Sequence, residues 1–248
     1  MLFHTIYRGG CVKRLYLYIL LFSVIIIAVS GYLLYFVSSN SVFTVSDNIK
    51  PDTVTVIVDA GHGGFDGGAV ADDGTNEKDI NLQIALKLDA ILKENGIKTV
   101  LTRSSDEALN NPDAKSIREK KVSDIRNRMK LINDTENSIF VSIHQNSYTS
   151  PKYWGTQVFY SSNTDESREI AQSIQSSVVT ELQPDNTRQI KQCGSEVYLI
   201  YNARRPAVLA ECGFMTNKEE LEKLKTEDYQ QRIAECIANG IIKYLQGS

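Results

Sequence analysis

The segment that most constrains this chain is residues 54–68, which read VTVIVDAGHGGFDGG. Its first part, Val54 to Val58, is apolar and β-branched and predicts a buried strand. A glycine-rich turn around His62 follows, and glycine permits backbone conformations and close approaches that other residues do not. In an α/β fold such a loop lies at the carboxyl edge of the sheet, where ligands bind. A single histidine in a glycine turn is more often an ordinary solvated residue, so the rest of the chain has to decide.

The composition restricts the possible function classes. The chain has 248 residues, of which 42% are hydrophobic, and a formal net charge of −3. Length and apolar content predict one globular domain with a sizeable core plus an extension. The lack of a basic excess argues against a nucleic acid partner. The four cysteines show no C-x-x-C pair and no zinc-finger spacing, and only three histidines occur, so each histidine position is informative.

The extension has the pattern of a membrane anchor. Residues 1–14 are basic, and the segment from Leu15 to Val37 carries no charge. A helix of that length, at about 1.5 Å per residue, spans a hydrocarbon core of about 30 Å. The preceding cations predict a cytoplasmic N terminus and a domain outside the cytoplasm. We expect a retained anchor, with a cleaved signal peptide and a secreted form as the alternative. Polar residues 38–52 predict a linker to a domain over residues 53–248.

Strand and helix patterns alternate along the domain and predict an α/β layered fold. Apolar, β-branched runs predict strands at residues 54–58, 97–102, 138–143, 156–160 and 206–210. Apolar residues at helical spacing predict helices at residues 80–92, 124–133, 165–182, 217–225 and 229–245.

Two segments of the domain are less regular. Residues 103–123 are polar and charged without a clear period and predict a long surface loop, and residues 193–201 mix strand and loop signals. In the helix that follows the predicted loop, Arg126, Arg128 and Lys130 lie opposite the apolar positions. Such cations usually form a solvated face, and contact with an anionic wall polymer or a partner is the alternative.

Polar residues follow the predicted strands at comparable positions. His62, His144 and Glu211 each come directly after a short apolar strand. Glu77 opens the helix after the first strand, with Asn76 as its N-cap, where a glutamate commonly only complements the helix dipole. If the strands are parallel neighbours, all four side chains converge on one edge. Two histidines and one glutamate are a common donor set for catalytic zinc, and the other glutamate can serve as the general base for water.

Other catalytic motifs fit the sequence less well. The glycine loop has neither the Lys-Ser/Thr of a phosphate-binding P-loop nor G-x-G-x-x-G spacing, and H-E-x-x-H and G-x-S-x-G are absent. Cys212 beside Glu211 is an alternative nucleophile. Its position after a buried strand favours a packed thiol instead.

Four segments, in order from about Val54 to the C terminus, resemble the zinc-dependent N-acetylmuramoyl-L-alanine amidases of the amidase-3 family. They read VIVDAGHGGFDGGA, NEKDINLQIALKLDAILKENGIKTVLTR, FVSIHQNS and PAVLAECGFMTNKEELEKL. The resemblance implies a twisted, mostly parallel six-stranded sheet flanked by helices. It also implies zinc ligands at His62, Glu77 and His144. The catalytic glutamate of the family matches Glu211.

The chain departs from the family pattern at three positions that are not ligands. Ala60, Gln145 and Cys212 stand where the family often has Pro, Ala and Thr. These differences leave the implied zinc set unchanged and could tune the site.

The resemblance implies hydrolysis of the amide between N-acetylmuramic acid and L-alanine in peptidoglycan. One anchor before a catalytic domain without wall-binding repeats is similar to the spore-cortex amidases of endospore formers. Those enzymes remove stem peptides so that muramic-δ-lactam can form. The alternatives are a general cell-wall autolysin, a zinc peptidase that cuts within the stem peptide, and a non-catalytic module that binds peptidoglycan or a partner.

An activating partner is also expected. The His62 ligand would lie on a glycine-rich loop, and ordering such a loop opposes zinc binding. A protein that ordered the loop would tighten zinc binding by linkage. We expect an extracytoplasmic accessory protein that docks on the Arg126–Lys130 face or the Tyr148–Trp154 loop, with a self-sufficient enzyme as the alternative.

Overall fold

The computed structural model describes residues 54–247 together with a few helical positions near the N terminus, namely Tyr18, residues 20–22, Ile26 and Val29. The basic segment, the anchor and the linker predicted for residues 1–52 therefore lie almost wholly outside the described residues. No helix within the described part of the chain is long and apolar enough to cross a membrane. The chain divides into two compact units, residues 1–46 and residues 47–248, and the second carries the fold described below.

Six strands of the described residues form one sheet. They are β1 (Thr55–Ala60), β2 (Lys98–Leu101), β3 (Ser138–Asn146), β4 (Gln157–Tyr160), β5 (Lys191–Gln192) and β6 (Ala207–Phe214). Their spatial order is β2-β1-β3-β6-β4-β5, and every neighbouring pair is parallel except β6 with β4. The prediction of a mostly parallel six-stranded sheet is confirmed. The carboxyl ends of β1, β3 and β6 therefore meet the amino ends of β4 and β5 at one edge.

Helices cover both faces of this sheet. They are α1 (Glu77–Glu94), α2 (Ile117–Asp134), α3 (Asp165–Glu181), α4 (Tyr198–Asn202), α5 (Lys218–Leu224) and α6 (Glu227–Gly247). Apolar residues of α1, α3 and α6 pack with Val56 and Val58 on one face, whereas α2 and α4 pack with Ile57 on the other. Because successive strand residues point to opposite faces, both cores bury β1 along its whole length.

Helix α2 begins earlier than its sequence pattern suggests. The predicted surface loop over residues 103–123 is wrong in its last part, because α2 starts at Ile117. A capping box explains the start: the Ser116 side chain accepts from the Glu119 amide, and the Glu119 carboxylate accepts from the Ser116 amide. The first turns of α2 are largely exposed, so they lack the apolar period by which helices are recognised.

Candidate metal centre

His62 lies just beyond β1 in an uncommon backbone conformation. Its φ is +61°, in the left-handed region that non-glycine residues rarely adopt. The loop turns back at once, because Gly63 and Asp66 exchange two backbone hydrogen bonds of 2.9 and 3.0 Å. This turn brings Asp66 Oδ2 to 3.0 Å from His62 Nδ1. Asp66 therefore orients the imidazole so that Nε2 faces the cluster, a role commonly seen for carboxylates behind metal-binding histidines.

Glu77 lies between the two histidines. Its Oε2 is 3.2 Å from His62 Nε2, and its Oε1 is 2.8 Å from His144 Nδ1. The Glu77 side chain is only 5% exposed, and it accepts further hydrogen bonds from the amides of Ala69 and Gln145. Because α1 begins at Glu77, the helix start holds this carboxylate at the edge of the sheet.

Two glycines make this close approach possible. A Cβ on Gly61 would lie 2.3 Å from His144 Nε2, and a Cβ on Gly68 would lie 2.5 Å from Glu77 Oε2. No larger residue fits at either position without moving one of these side chains. Gly61 packs against Nε2 of the His144 ring, so Nδ1 is the nitrogen that faces the cluster.

The three side chains could hold a metal ion together. One ligand atom from each of His62, Glu77 and His144 lies within 4.8 Å of the other two. Two imidazole nitrogens and one carboxylate fit zinc better than magnesium or calcium, which prefer oxygen ligands. The histidine side chains remain about a quarter exposed, so the centre is open to solvent on one side.

The charges in the cluster support one another. Although burial opposes the charged forms, the hydrogen bonds with Asp66 and Glu77 raise the pKa of His62 to about 9. The hydrogen bonds with His144 and His62 overcome burial in the same way and hold the pKa of Glu77 far below its usual range. A metal ion that bound here near neutral pH would therefore have to displace a proton from His62.

Glu211 lies beside His144 in the sheet. The two residues are direct partners in the β3–β6 ladder. The Glu211 Oε2 atom is buried and has no hydrogen-bond partner among the described residues. Burial, together with the charge of Glu77, raises the pKa of Glu211 to about 7 against the opposing influence of His144. A carboxylate that titrates near neutrality suits a general base.

Two arginines fix the backbone of the His62 loop. Arg128 on α2 is buried, ion-pairs with Asp59, and donates 3.1 Å to the carbonyl of Ala60 and 2.7 Å to that of His62. Arg103 also donates to the Ala60 carbonyl at 3.0 Å, and it donates to the Gly61 carbonyl at 3.0 Å. The carbonyls of three successive residues are thus held by buried guanidinium groups. This arrangement argues against the expected disorder of the loop.

The interpretation of the α2 cations as one solvated face is wrong for Arg128. Arg126 and Lys130 are exposed, whereas Arg128 is 2% exposed and its Nε donates 2.7 Å to Asp124. Lys121, one turn into α2, pairs with Asp66 at 3.0 Å and so also reaches the His62 loop. Sequence reasoning missed Asp66 and Arg128, although a histidine and an aspartate four residues apart in the glycine turn were a visible signal.

Residues behind the cluster account for two of the departures from the family pattern. Gln145 Nε2 donates 3.1 Å to Asn81, which in turn donates 3.1 Å to Glu77. Cys212 is fully buried, its thiol contacts the Ala210 carbonyl at 3.6 Å, and burial raises its pKa far above the usual range. A thiol held protonated in the core is not a nucleophile, so the packed-thiol interpretation of Cys212 is supported.

Three comparisons with known proteins converge on one family. A model of the amidase-3 family, N-acetylmuramoyl-L-alanine amidase, matches residues 56–243. The germination-specific N-acetylmuramoyl-L-alanine amidase of Bacillus subtilis strain 168 is 35% identical over 207 residues, which cover 82% of this chain and 86% of that protein.

Solved structures agree with these sequence matches. The CwlD amidase of Clostridioides difficile, solved in complex with the GerS lipoprotein, is 39% identical and gives a TM-score of 0.76 over 78% of this chain and 99% of that chain. An N-acetylmuramoyl-L-alanine amidase from Clostridium difficile 630 is 32% identical and gives a TM-score of 0.66 over 78% of this chain and 97% of that chain. The chain therefore belongs to the amidase-3 family of N-acetylmuramoyl-L-alanine amidases.

Proposed function

We propose that this amidase holds zinc with His62, Glu77 and His144 and uses Glu211 as its general base. The observation that carries the proposal is Glu211 Oε2, a buried carboxylate oxygen with no hydrogen-bond partner among the described residues, on the strand position next to His144. Zinc, when bound, would polarise the amide carbonyl and lower the pKa of water.

The chain's own residues then have distinct roles in cleaving the bond between muramic acid and L-alanine. Glu211 accepts a proton from the water that attacks the amide carbon, and it passes that proton to the leaving nitrogen as the C–N bond breaks. Asp66 accepts a hydrogen bond from His62 Nδ1 and so holds the proton on that nitrogen, which leaves Nε2 free to bind the metal. The products are a muramic acid carboxylate and a stem peptide with a free L-alanine amino group.

Metal analysis of four variants tests these roles. Alanine at His62, Glu77 or His144 should lower the zinc content, because each change removes one donor. Glu211→Gln should keep zinc and lower turnover by about two to four orders of magnitude. Full zinc occupancy in all three alanine variants would remove them from the ligand set. Loss of zinc in Glu211→Gln would indicate instead that Glu211 is a zinc ligand and Glu77 the general base.

Mass spectrometry of digested peptidoglycan tests the reaction itself, with Glu211→Gln as the matched control. Stem peptides with an N-terminal L-alanine are the expected products. Cuts within the stem peptide would instead identify a zinc peptidase. An absence of released peptide at full zinc occupancy would leave a non-catalytic binding module.

The substrate that we propose is spore-cortex peptidoglycan, where removal of the stem peptide would precede formation of muramic-δ-lactam. The support is the 35% identity to the germination-specific amidase of Bacillus subtilis. Expression of this chain in a B. subtilis strain that lacks that amidase should restore muramic-δ-lactam to the cortex. Robust cleavage of vegetative walls without restored lactam would favour a general autolysin.

An extracytoplasmic accessory protein is the partner that we propose. The support is a relative, the CwlD amidase of C. difficile, which was solved in complex with the GerS lipoprotein. On this chain the Tyr148–Trp154 loop, Arg126 and Lys130 remain exposed and available for contact. The chain should need extracytoplasmic lipoproteins of its source organism for full activity on cortex peptidoglycan. Full activity with added zinc alone would refute the need for a partner.

We also propose that the segment from Leu15 to Val37 anchors the catalytic unit outside the cytoplasm. The support is its uncharged sequence and the basic residues before it. Fractionation should recover the full-length chain in the membrane. Recovery of a shortened, soluble chain would indicate cleavage, and a full-length chain in the cytosol would reject the anchor.

A further inference from the structure

Arg188 lies at the same sheet edge as the candidate metal centre. Because β4 is antiparallel to β6 and parallel to β5, the segment that leads into β5 reaches this edge. Gln157, the first residue of β4, pairs directly with Glu211, so their side chains project from the same face. The Arg188 Nη1 group donates 3.0 Å to Gln157 Oε1. Glu211, Gln157 and Arg188 thus form a row across three adjacent segments.

Other contacts hold the Arg188 guanidinium in one orientation. Its Nε donates 2.8 Å to the carbonyl of Trp154. Its central carbon lies 4.6 Å from the centre of the Phe214 ring and 5.9 Å from that of Tyr153. Two hydrogen bonds and two aromatic rings therefore fix the plane of the group before any ligand arrives, which reduces the entropy that binding would cost.

The positive charge of Arg188 has no close counter-ion within the described residues, where none of the ion pairs involves it. Glu220 is an acid that interacts electrostatically with Arg188. Both Glu220 oxygens are already occupied, since Oε1 accepts from the Gly155 amide at 2.8 Å and Oε2 from the Phe214 amide at 2.7 Å. The outer guanidinium nitrogen Nη2 has no hydrogen-bond partner in the part of the chain that the structure describes.

We propose that Arg188 binds a free carboxylate of the stem peptide. This inference rests on the proposed amidase function. Adjacent strands are about 4.8 Å apart, so the segment entering β5 lies about 10 Å from β6. The Arg188 guanidinium reaches back past Gln157 toward Phe214 of β6. Because an extended peptide advances about 3.3 Å per residue, the bound carboxylate lies within a few residues of the cleaved bond. The N-acetylated sugars of the glycan are neutral, so the peptide is the anionic part of the substrate. The exposed ring of Tyr153 lies beside the Arg188 guanidinium, and the exposed ring of Tyr148 packs against Tyr153.

The competing interpretation is that Arg188 has only a structural role and links the Trp154 loop to β4 through its hydrogen bonds. A purely structural staple affects all substrates equally, whereas a carboxylate ligand responds to the charge of the substrate. The experiment therefore pairs two soluble muropeptides, one with free stem-peptide carboxylates and one with the same groups amidated. Arg168, an exposed arginine on α3, provides the matched control as Arg168→Gln.

Arg188→Gln should raise KM for the free-carboxylate substrate about tenfold to a hundredfold, because it loses a charge-assisted hydrogen bond, with kcat nearly unchanged. It should change KM for the amidated substrate little, and Arg188→Lys should recover part of the loss. Arg168→Gln should match the wild type on both substrates. If Arg188→Gln loses zinc or folds poorly, the same comparison of KM on the two substrates is made with Arg188→Lys, which keeps the charge. A loss confined to the free-carboxylate substrate supports the carboxylate site, and equal losses on both substrates overturn it.

Equal losses on both substrates, or no loss on the acidic one, would overturn the carboxylate site while leaving the amidase function intact. A wild-type protein that cleaves neither muropeptide would overturn the proposed function and this inference together.

Discussion

Replacing Glu211 by glutamine should change how the stability of the metal-free protein depends on pH. Burial raises the pKa of Glu211 from 4.5 to about 7 in the folded protein. The unfolded chain releases this proton near the ordinary value, so between those pH values the folded state binds more protons. The free energy of unfolding contributed by Glu211 therefore falls as pH rises from about 4.5 to 7.

The size of this effect follows from the two pKa values. One pKa unit corresponds to about 1.4 kcal/mol, so the difference between 4.5 and about 7 amounts to about 3 kcal/mol. Glutamine has nearly the same shape and does not titrate. The free energy of unfolding of Glu211→Gln, relative to that of the wild type, should therefore rise by about 3 kcal/mol from about pH 4 to pH 8.

Denaturant unfolding of both proteins in the presence of a chelator measures this difference at each pH. The variant-minus-wild-type comparison cancels the groups that do not interact with Glu211. It reports the titration of Glu211 together with its electrostatic coupling to His144, Glu77 and His62. A difference that stays constant from about pH 4 to pH 8 would show that Glu211 titrates normally. Glu211 would then not be a buried, proton-accepting carboxylate beside His144.

The remaining predictions concern the residues that hold the metal centre. Because Asp66 and Glu77 raise the pKa of His62 to about 9, apparent zinc affinity should rise about tenfold per pH unit between about pH 6.5 and 8.5; a chelator competition that finds a flat profile would contradict this. Gly61→Ala should lower zinc affinity, because its Cβ would lie 2.3 Å from the His144 ring, whereas Gly247→Ala, which meets nothing within 4 Å, should not; equal affinities would show that the ring can move freely. Arg128→Lys keeps a charge but cannot reach every partner of the guanidinium group, so zinc affinity should fall about tenfold and the free energy of unfolding by about 1–3 kcal/mol. Arg126→Lys is the exposed control. Matching values for the two variants would show that Arg128 does not support the His62 loop.

The candidate site could be located largely from the sequence because its residues follow local signals. His62 comes just after β1, and Glu77 comes at the start of a helix. His144 and Glu211 were predicted to follow their strands but lie inside β3 and β6, near the carboxyl ends, because both strands continue past the apolar runs. Parallel strands bring such positions to one edge whatever the details of packing. The order of the four segments along the chain also determined the family, and with it the expectation of a six-stranded sheet.

The tertiary structure alone decided which polar side chains support that site. Arg128 has the same local pattern as its exposed neighbours Arg126 and Lys130, yet it is buried against Asp59 and the His62 carbonyl. Residues 62 and 128 are far apart in sequence, and no local propensity records which side of α2 meets the glycine loop. The same holds for Arg188, which reaches the row beside Glu211 only because β4 runs antiparallel to β6. Local sequence sets where strands and helices begin, whereas the direction and burial of a long polar side chain depend on what the fold packs against it.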